Sequence, residues 1–325
     1  MDLDRNNTGA YAIETHDLTR VFGDRVAVDS LTLAIPPGKV FGFLGPNGAG
    51  KTTTLRMLAT LIAPTSGTAR VAGYELGTPS NNKRIRKSLG FLTDTPGLYG
   101  NLTAIQNLLF FAGLYEVPQR IAAQRAERYL KMLDLWERRD DKVGGFSKGM
   151  RQKVALVRAL LHEPQVIFLD EPTAGLDPEA ARTVHNFIAQ MRNEGRSVLL
   201  TTHNLTEADA LCDLIGVFRT RLLRLDTPAN LRSQLFGNGT LVQLVGDASS
   251  WATTARSLPF VRAVQPAGDT LSITLDNPDA QNPMLVAALI GAGAQVRYVR
   301  PITPSLEDVY LELIEASKKQ HPQAE

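Results

Sequence analysis

The chain has 325 residues, a single cysteine and a formal net charge of +2, a balance that argues against a nucleic-acid binder working by bulk electrostatics. Cys212 has no internal disulfide partner, so it suits a reducing compartment and reads as a small buried residue. The length suggests about two domains, 43% hydrophobic residues is ordinary for a globular chain, and no apolar run approaches the roughly 20 residues of a membrane span, so any membrane role is expected to be peripheral.

Residues 1–10 are polar and lack the apolar stretch of a signal peptide; they are expected to form a disordered tail. Two β-rich segments follow, Ala12–His16 and Val26–Ile35, with Phe22 in the turn between them. Phe22 reads either as packing or as a stacking platform for a base. Pro36-Pro37-Gly38 turns the chain into the apolar strand Val40–Leu44.

Next stands G45-P46-N47-G48-A49-G50-K51-T52, a match to G-x-x-x-x-G-K-[ST]. The run after it places Leu55, Leu58, Leu61 and Ile62 at helical spacing, so the loop lies between a strand and a helix, the context the motif requires. Its glycines let backbone N–H groups turn inward towards phosphate oxygens, and the helix start adds partial positive charge. The candidate phosphate-binding residues are Gly45, Asn47, Gly48, Ala49, Gly50, Lys51, Thr52 and Thr53. Lys51 is expected to reach the β- and γ-phosphates, and the Thr52 hydroxyl to ligate Mg²⁺.

A second strand pair is expected at Thr68–Ala72 and Ser88–Leu92, bracketing the basic run Asn82–Lys87, a solvated helix face. Ile85 stands where a guanine-reading Asn-Lys-x-Asp motif needs its aspartate, which weakens a GTPase reading. The loop Thr93–Tyr99 leads into a helical stretch from about Thr103 to Glu137, whose Leu108–Phe111 run reads as core. Gly144–Met150 is a second Gly-rich loop, and Ser147 is a good N-cap for the helix that follows. Val166–Leu169 has the form of a strand buried on both faces, ending in Asp170-Glu171. Ser197–Thr202 is another such strand, followed by His203. Side chains at the C-terminal ends of parallel strands stand where ligands bind in open α/β sheets, so the carboxylates read as metal ligand and base.

Past Arg224 the pattern changes. Thr227-Pro228-Ala229-Asn230 starts a short helix, and strands or helices are expected at Thr240–Val245, Ser249–Leu258, Val261–Gln265, Thr270–Leu275, Asn282–Gly291 and Gln295–Val299. That β-α-β-β-α-β order is ferredoxin-like. A last helix carries Leu306, Val309, Tyr310 and Leu313.

From about Tyr11 to Arg224 the chain resembles the nucleotide-binding subunit of ABC transporters. The phosphate loop resembles the family's Walker A motif, and Val166–Glu171 its Walker B motif with Glu171 in the catalytic-base position. Phe146–Met150 resembles the signature motif LSGGQ, Ala174–Asp177 the dimer-contact loop, His203 the switch histidine and Phe22 the adenine-stacking aromatic. Asp94 stands where the family has a glutamine that touches Mg²⁺, and Lys148 and Met150 replace a glycine and a glutamine of the signature. The variants S-K-G-M and T-D-x-P-G-L-Y, and the segment Pro304–Tyr310, resemble ATPases of drug, antibiotic and sodium efflux systems.

The resemblance implies an α/β P-loop ABC ATPase cassette, a mixed sheet core plus a helical subdomain, followed by a small α+β ferredoxin-like domain. The expected organisation is a tail at 1–10, the nucleotide-binding domain at 11–225 with its helical subdomain near 95–160, a linker helix at 226–236, a regulatory or dimerisation domain at 237–316, and a tail at 317–325. It implies ATP and Mg²⁺ as ligands, with Thr52, Asp170 and Asp94 on the metal, Glu171 and His203 at the γ-phosphate, and Ser147 and Gly149 closing over ATP held by a second copy. The implied function is an ATP-hydrolysing exporter motor: a head-to-tail homodimer on the cytoplasmic face of the membrane, joined to a separate transmembrane permease. A soluble ABC ATPase acting on a macromolecule is the alternative. A small-molecule P-loop kinase would leave Phe146–Met150 and His203 without a role.

Overall fold

The computed structural model describes residues 11–236, 238–302 and 305–320. The chain divides between Thr227 and Pro228 into two compact units. The tail expected at 1–10 lies outside the described residues, as do 321–325 of the C-terminal one; 317–320 are helical, continuing the last helix.

In the first unit, β1 (Ile13–Phe22) and β2 (Arg25–Ile35) form an antiparallel hairpin. Phe22 is therefore the last residue of a strand paired with Arg25, and the turn is confined to the two residues beyond it. After β3 (Val40–Leu44) and α1 (Lys51–Leu58) come β4 (Ser66–Val71), β5 (Tyr74–Glu75), α2 (Pro79–Ser88) and β6 (Leu89–Leu92). The strands expected to pair at 68–72 and 88–92 do not. β4 joins the antiparallel sheet β2-β1-β4-β5, whereas β6 lies beside a parallel strand in a different sheet. Their burial differs to match: β4 has exposed residues over its first half, while β6 is apolar and mostly buried although it lies at the edge of its sheet.

The helical stretch expected over 103–137 is two helices, α3 (Ala104–Leu114) and α4 (Gln119–Met132). Glu116, in left-handed backbone at φ 61°, and Pro118 break it. Thr103 and Gln106 form a reciprocal capping box that starts α3. Only part of the Leu108–Phe111 run is core: Leu108 is buried, but Phe110 is 46% exposed. α5 (Lys148–Leu160) packs against both helices. Then follow β7 (Val166–Asp170), α6 (Pro178–Asn193), β8 (Ser197–Thr202), α7 (Leu205–Leu211), β9 (Leu214–Arg219) and β10 (Arg221–Asp226).

The central sheet has the order β10-β9-β3-β8-β7-β6. It is parallel except for β10, which pairs antiparallel with β9. Every residue of β3, β7 and β8 is buried, as a strand with elements on both faces requires. α1 touches β2 and β4 of the antiparallel sheet and β7 of the central one. Its Leu55, Met57 and Leu58 join Phe41, Phe43, Phe168 and Phe218 with Leu18, Val28 and Leu31 in one core. The phosphate loop before α1 is thereby anchored on a buried apolar core.

The second unit contains α8 (Pro228–Phe236), β11 (Asn238–Leu244), α9 (Ala252–Arg256), β12 (Val261–Ala267), β13 (Thr270–Leu275), α10 (Pro278–Gly291), β14 (Val296–Pro301) and α11 (Leu306–Gln320). Its sheet is fully antiparallel in the order β12-β13-β11-β14, the interleaved arrangement of a β-α-β-β-α-β chain. The core is built from the inward-facing Val242, Leu244, Leu271 and Ile273 against Ala252 and Ala255 of α9 and Leu285 and Leu289 of α10. The helix expected at 249–258 is a 3₁₀ turn, Ala248–Trp251, followed by the short α9. α10 starts earlier than expected, because Asn277 caps it and Pro278 suits the first helical position.

Candidate functional site

A cleft of about 310 Å³ opens over the turn between β3 and α1. Phe22, Arg25 and Ala27 of the hairpin line one side; Asn47, Gly48, Ala49, Gly50, Lys51, Thr52 and Thr53 form the floor; Glu171 faces it. Two glycines are fixed by geometry. Gly50 sits at φ 100°, and a Cβ there would lie 2.2 Å from the Ala27 carbonyl oxygen; a Cβ on Gly45 would lie 2.1 Å from that of Phe218.

Lys51 is 5% exposed, and its Nζ donates to the carbonyls of Gly45 (2.7 Å) and Pro46 (3.0 Å). Burial holds its pKa below the ordinary lysine value, an effect opposed by the charges of Glu171 and Asp170. Its ammonium is thus poorly hydrated, and it begins the helix whose N-terminal N–H groups add positive potential.

Across the cleft floor, Thr52 Oγ1 donates to Asp170 Oδ1 at 3.0 Å, and Thr201 Oγ1 donates to the same oxygen at 2.6 Å. Burial raises the Asp170 pKa; the two hydroxyl bonds oppose the rise, and the charges of Asp94 and Glu171 add to it. Glu171, the next residue, has left-handed backbone at φ 47°, a conformation that costs a non-glycine residue about 1–3 kcal/mol. Its N–H is held by the carbonyl (3.2 Å) and the Oγ1 (3.0 Å) of Thr201. That backbone turns its side chain out of the strand and into the cleft. His203, beyond the end of the adjacent β8, places Nδ1 3.2 Å from Glu171 Oε1.

The remaining candidates stand apart. Asp94 is exposed and accepts from its neighbour's N–H, Thr95, at 2.9 Å; it does not line the cleft, although its charge is felt at Asp170. Ser147 caps α5 by accepting from Met150 N–H at 3.2 Å, and neither it nor Gly149 lines the cleft of its own chain. Phe22 is 44% exposed, with the Arg20 guanidinium 4.3 Å from its ring centre, so one face of the ring is occupied by a cation.

Sequence reasoning passed over Arg25, whose Nη2 lies 3.4 Å from the Gly48 carbonyl oxygen, and Thr201, the hydroxyl shared by Asp170 and Glu171. Arg25 gave no motif signal. Thr201 sits in an otherwise apolar strand, and that polarity at a strand end was the available hint. Cys212 is buried, as expected of it, and burial pushes its thiol far above the ordinary range.

The residues present suit a magnesium ion brought in with a nucleotide. One carboxylate and one hydroxyl stand side by side beneath an open cleft, which leaves the other positions to phosphate oxygens and water, as Mg²⁺ prefers.

A phosphate loop between β3 and α1, with an acidic pair and a histidine at the ends of neighbouring parallel strands, defines a P-loop nucleotide-binding protein. Comparison with known proteins narrows the class. The ABC transporter family profile matches residues 28–174, and that of the C-terminal domain of DrrA1-3-like ATP-binding proteins matches 227–314. The daunorubicin/doxorubicin resistance ATP-binding protein DrrA of Streptomyces peucetius is 36% identical over 313 residues, 95% of this chain and 94% of that one. The probable multidrug ABC transporter ATP-binding protein YbhF of Escherichia coli K12 is 40% identical over 227 residues, 70% of this chain; the match spans only 39% of that longer protein. A solved ATP-binding subunit of an ABC transporter superposes with a TM-score of 0.63 at 30% identity, covering 69% of this chain and 92% of that one. A dimeric bacterial ABC transporter cassette superposes with a TM-score of 0.61 at 25% identity, covering 66% and 98%. The chain belongs to the ABC transporter ATP-binding proteins.

Proposed function

We propose that the chain is the ATP-hydrolysing motor subunit of an ABC exporter. The observation that carries the chemistry is that Lys51, Thr52 and Glu171 line one cleft, with Asp170 hydrogen-bonded to Thr52 and His203 in contact with Glu171, neither of these two lining it directly. Lys51 and the N–H groups of the loop bind the β- and γ-phosphates, where a poorly hydrated ammonium interacts most strongly. Phe22 offers its ring to the adenine. Thr52 and Asp170 hold Mg²⁺, with Asp94 as a further oxygen donor from the neighbouring loop; the ion neutralises phosphate charge when bound. Glu171 accepts hydrogen from the attacking water, and His203 contacts the γ-phosphate and orients Glu171 through the 3.2 Å contact.

Ser147 and Gly149 lie outside the cleft of their own chain, which suits a role on the nucleotide of a second copy. The dimeric relative supports that arrangement. Export is supported by the drug-resistance and multidrug names of the relatives. No helix among the described residues is long and apolar enough to cross a membrane. The reading therefore includes a separate permease that holds the protein at the cytoplasmic face of the membrane. The domain after Thr227 serves the dimer or its regulation.

Magnesium-dependent ATP turnover by the purified chain, its loss in Glu171→Gln, and co-purification with a membrane subunit test the reading. Nucleotide binding without turnover, even with that subunit present, would refute the motor.

A further inference from the structure

We propose that Glu207 is the positioning residue for Glu171 and His203: its one buried carboxylate ties together the two turns that carry them. The inference rests on the ATP-hydrolysing reading above. Glu207 is on α7 and is 2% exposed. Its Oε1 accepts from Thr173 Oγ1 at 2.6 Å and lies 3.2 Å from His185 Nε2; its Oε2 accepts from Thr202 Oγ1 at 2.6 Å. Thr173 stands two residues after Glu171, and Thr202 immediately precedes His203. Each oxygen of the carboxylate therefore holds one of the two turns, and His185 adds an attachment to α6.

The network continues beyond the carboxylate. Thr202 Oγ1 accepts from Asn204 N–H at 2.9 Å, and Asn204 Oδ1 accepts from Glu207 N–H at 3.2 Å, closing a ring of bonds around the turn from 202 to 207. Thr201 joins the strand ends through Asp170 and the Glu171 N–H, but nothing in that contact sets where the two turns go afterwards. Glu207 supplies this second tie. A buried carboxylate is costly unless hydroxyl or N–H donors fill its lone pairs, and here they do. Taking it away leaves the buried Thr202 hydroxyl and the part-buried Thr173 hydroxyl without their acceptor and releases both turns at once. Glu207 does not line the cleft, so it touches no substrate and acts through the residues it holds.

The geometry it protects is narrow. A base and a histidine 3.2 Å apart lose their alignment if either turn shifts, and a displacement of about 1 Å at a reacting group costs about 100-fold in rate. Lys51 and the phosphate loop are held by other bonds, so nucleotide affinity should be spared.

The test uses the full chain as Glu207→Ala, Glu207→Gln and Thr173→Val, the last removing one hydroxyl bond at nearly constant volume. Mg-ATP turnover, affinity for a fluorescent ATP analogue, melting temperature and amide hydrogen exchange are measured on each. Glu207→Ala is expected to lower kcat about 100-fold with affinity nearly unchanged. Glu207→Gln, which keeps one oxygen acceptor for one threonine hydroxyl and offers an amide donor to the other, recovers most of that loss. Thr173→Val lowers kcat about tenfold, measured well below a melting temperature that falls only slightly, a split that loss of general stability would not produce. In Glu207→Ala and Thr173→Val the amides of 171–173 and 202–204 exchange faster together. Wild-type kcat in Thr173→Val, or faster exchange confined to α7, overturns the proposal. If Glu207→Ala does not fold, Thr173→Val decides. If the wild type binds nucleotide but does not hydrolyse it, the motor reading fails, and the exchange pattern still decides whether Glu207 couples the two turns.

Discussion

Thr52 Oγ1 donates to Asp170 Oδ1 at 3.0 Å, joining the first turn of α1 to the end of β7 across 118 residues of sequence. Each residue is brought there by burial. Thr52 follows a loop pinned by the core around α1, and Asp170 ends a strand with no exposed residue. The contact places a hydroxyl and a carboxylate together beneath the cleft, so the magnesium ion proposed to accompany the nucleotide would need little reorganisation there.

Lys51→Ala is expected to abolish ATP turnover and to weaken nucleotide binding tenfold or more. Loss of a charge-assisted contact to phosphate costs about 1.5–3 kcal/mol in binding and more where charge develops in the transition state. Titration with a fluorescent ATP analogue and a phosphate-release assay check both parts. Near-wild-type turnover would remove Lys51 from the site.

The phosphate loop was legible from sequence because its backbone needs specific residues: glycine is dictated by φ at Gly50 and by the Phe218 carbonyl at Gly45. The apolar runs at Phe41, Phe168 and Leu199 were equally legible, since strands buried on both faces show as uninterrupted hydrophobic segments. The partners of β4 and β6 are not legible from proximity in sequence: β4 pairs antiparallel with β1, and β6 pairs parallel with β7, whose Val166 stands opposite Leu89. Helices α6 and α7 and strands β9 and β10 were passed over, although Asp177 before Pro178 is a readable helix start. The hydroxyls of Thr173, Thr201 and Thr202 have no readable partners in the sequence, because a threonine in a strand or a turn is ordinary until the fold shows which carboxylate it meets.

Glu171→Gln is expected to retain ATP binding while stalling hydrolysis, because the amide keeps the side chain's shape but cannot serve as a base. The variant should accumulate as a nucleotide-bound dimer in the presence of Mg-ATP, measurable by size-exclusion chromatography with light scattering. A monomer that turns ATP over normally would show that another group activates the water.

Asp170→Asn is expected to stabilise the nucleotide-free protein at neutral pH while removing activity. Burial raises the Asp170 pKa above its unfolded value, so the native state binds more protons than the unfolded one in the window from about pH 4 upward to the raised value. Stability contributed by this group therefore falls as pH rises through that window. Asparagine removes the desolvated charge, so its advantage in melting temperature should be present at pH 7, shrink as pH falls through that window and be gone below about pH 4. Thermal unfolding across that range checks the sign; a lower melting temperature for Asp170→Asn at pH 7 would contradict it.

Asp94→Gln is expected to be tolerated far better than Asp94→Ala. The side chain is exposed and its charge reaches Asp170, so glutamine keeps an oxygen donor in the same place while relieving repulsion between two carboxylates. Turnover as a function of magnesium concentration separates the variants: the alanine protein should need more magnesium. Identical magnesium dependence in all three would make Asp94 a solvated loop residue.

Removing the domain after Thr227 is expected to leave nucleotide binding intact and to alter dimer lifetime or basal turnover. The division falls between Thr227 and Pro228, and the second unit has its own core, built from Val242, Leu271, Ile273, Leu285 and Leu289. α8 belongs with it, packing against α11, so the cut should be made before that helix and not after Phe236. Every residue that lines the cleft precedes the cut. ATP-analogue affinity and sedimentation of a chain ending at Thr227 measure the two properties independently. A soluble truncated chain that no longer binds ATP would place part of the nucleotide site in the second domain and overturn this division of labour.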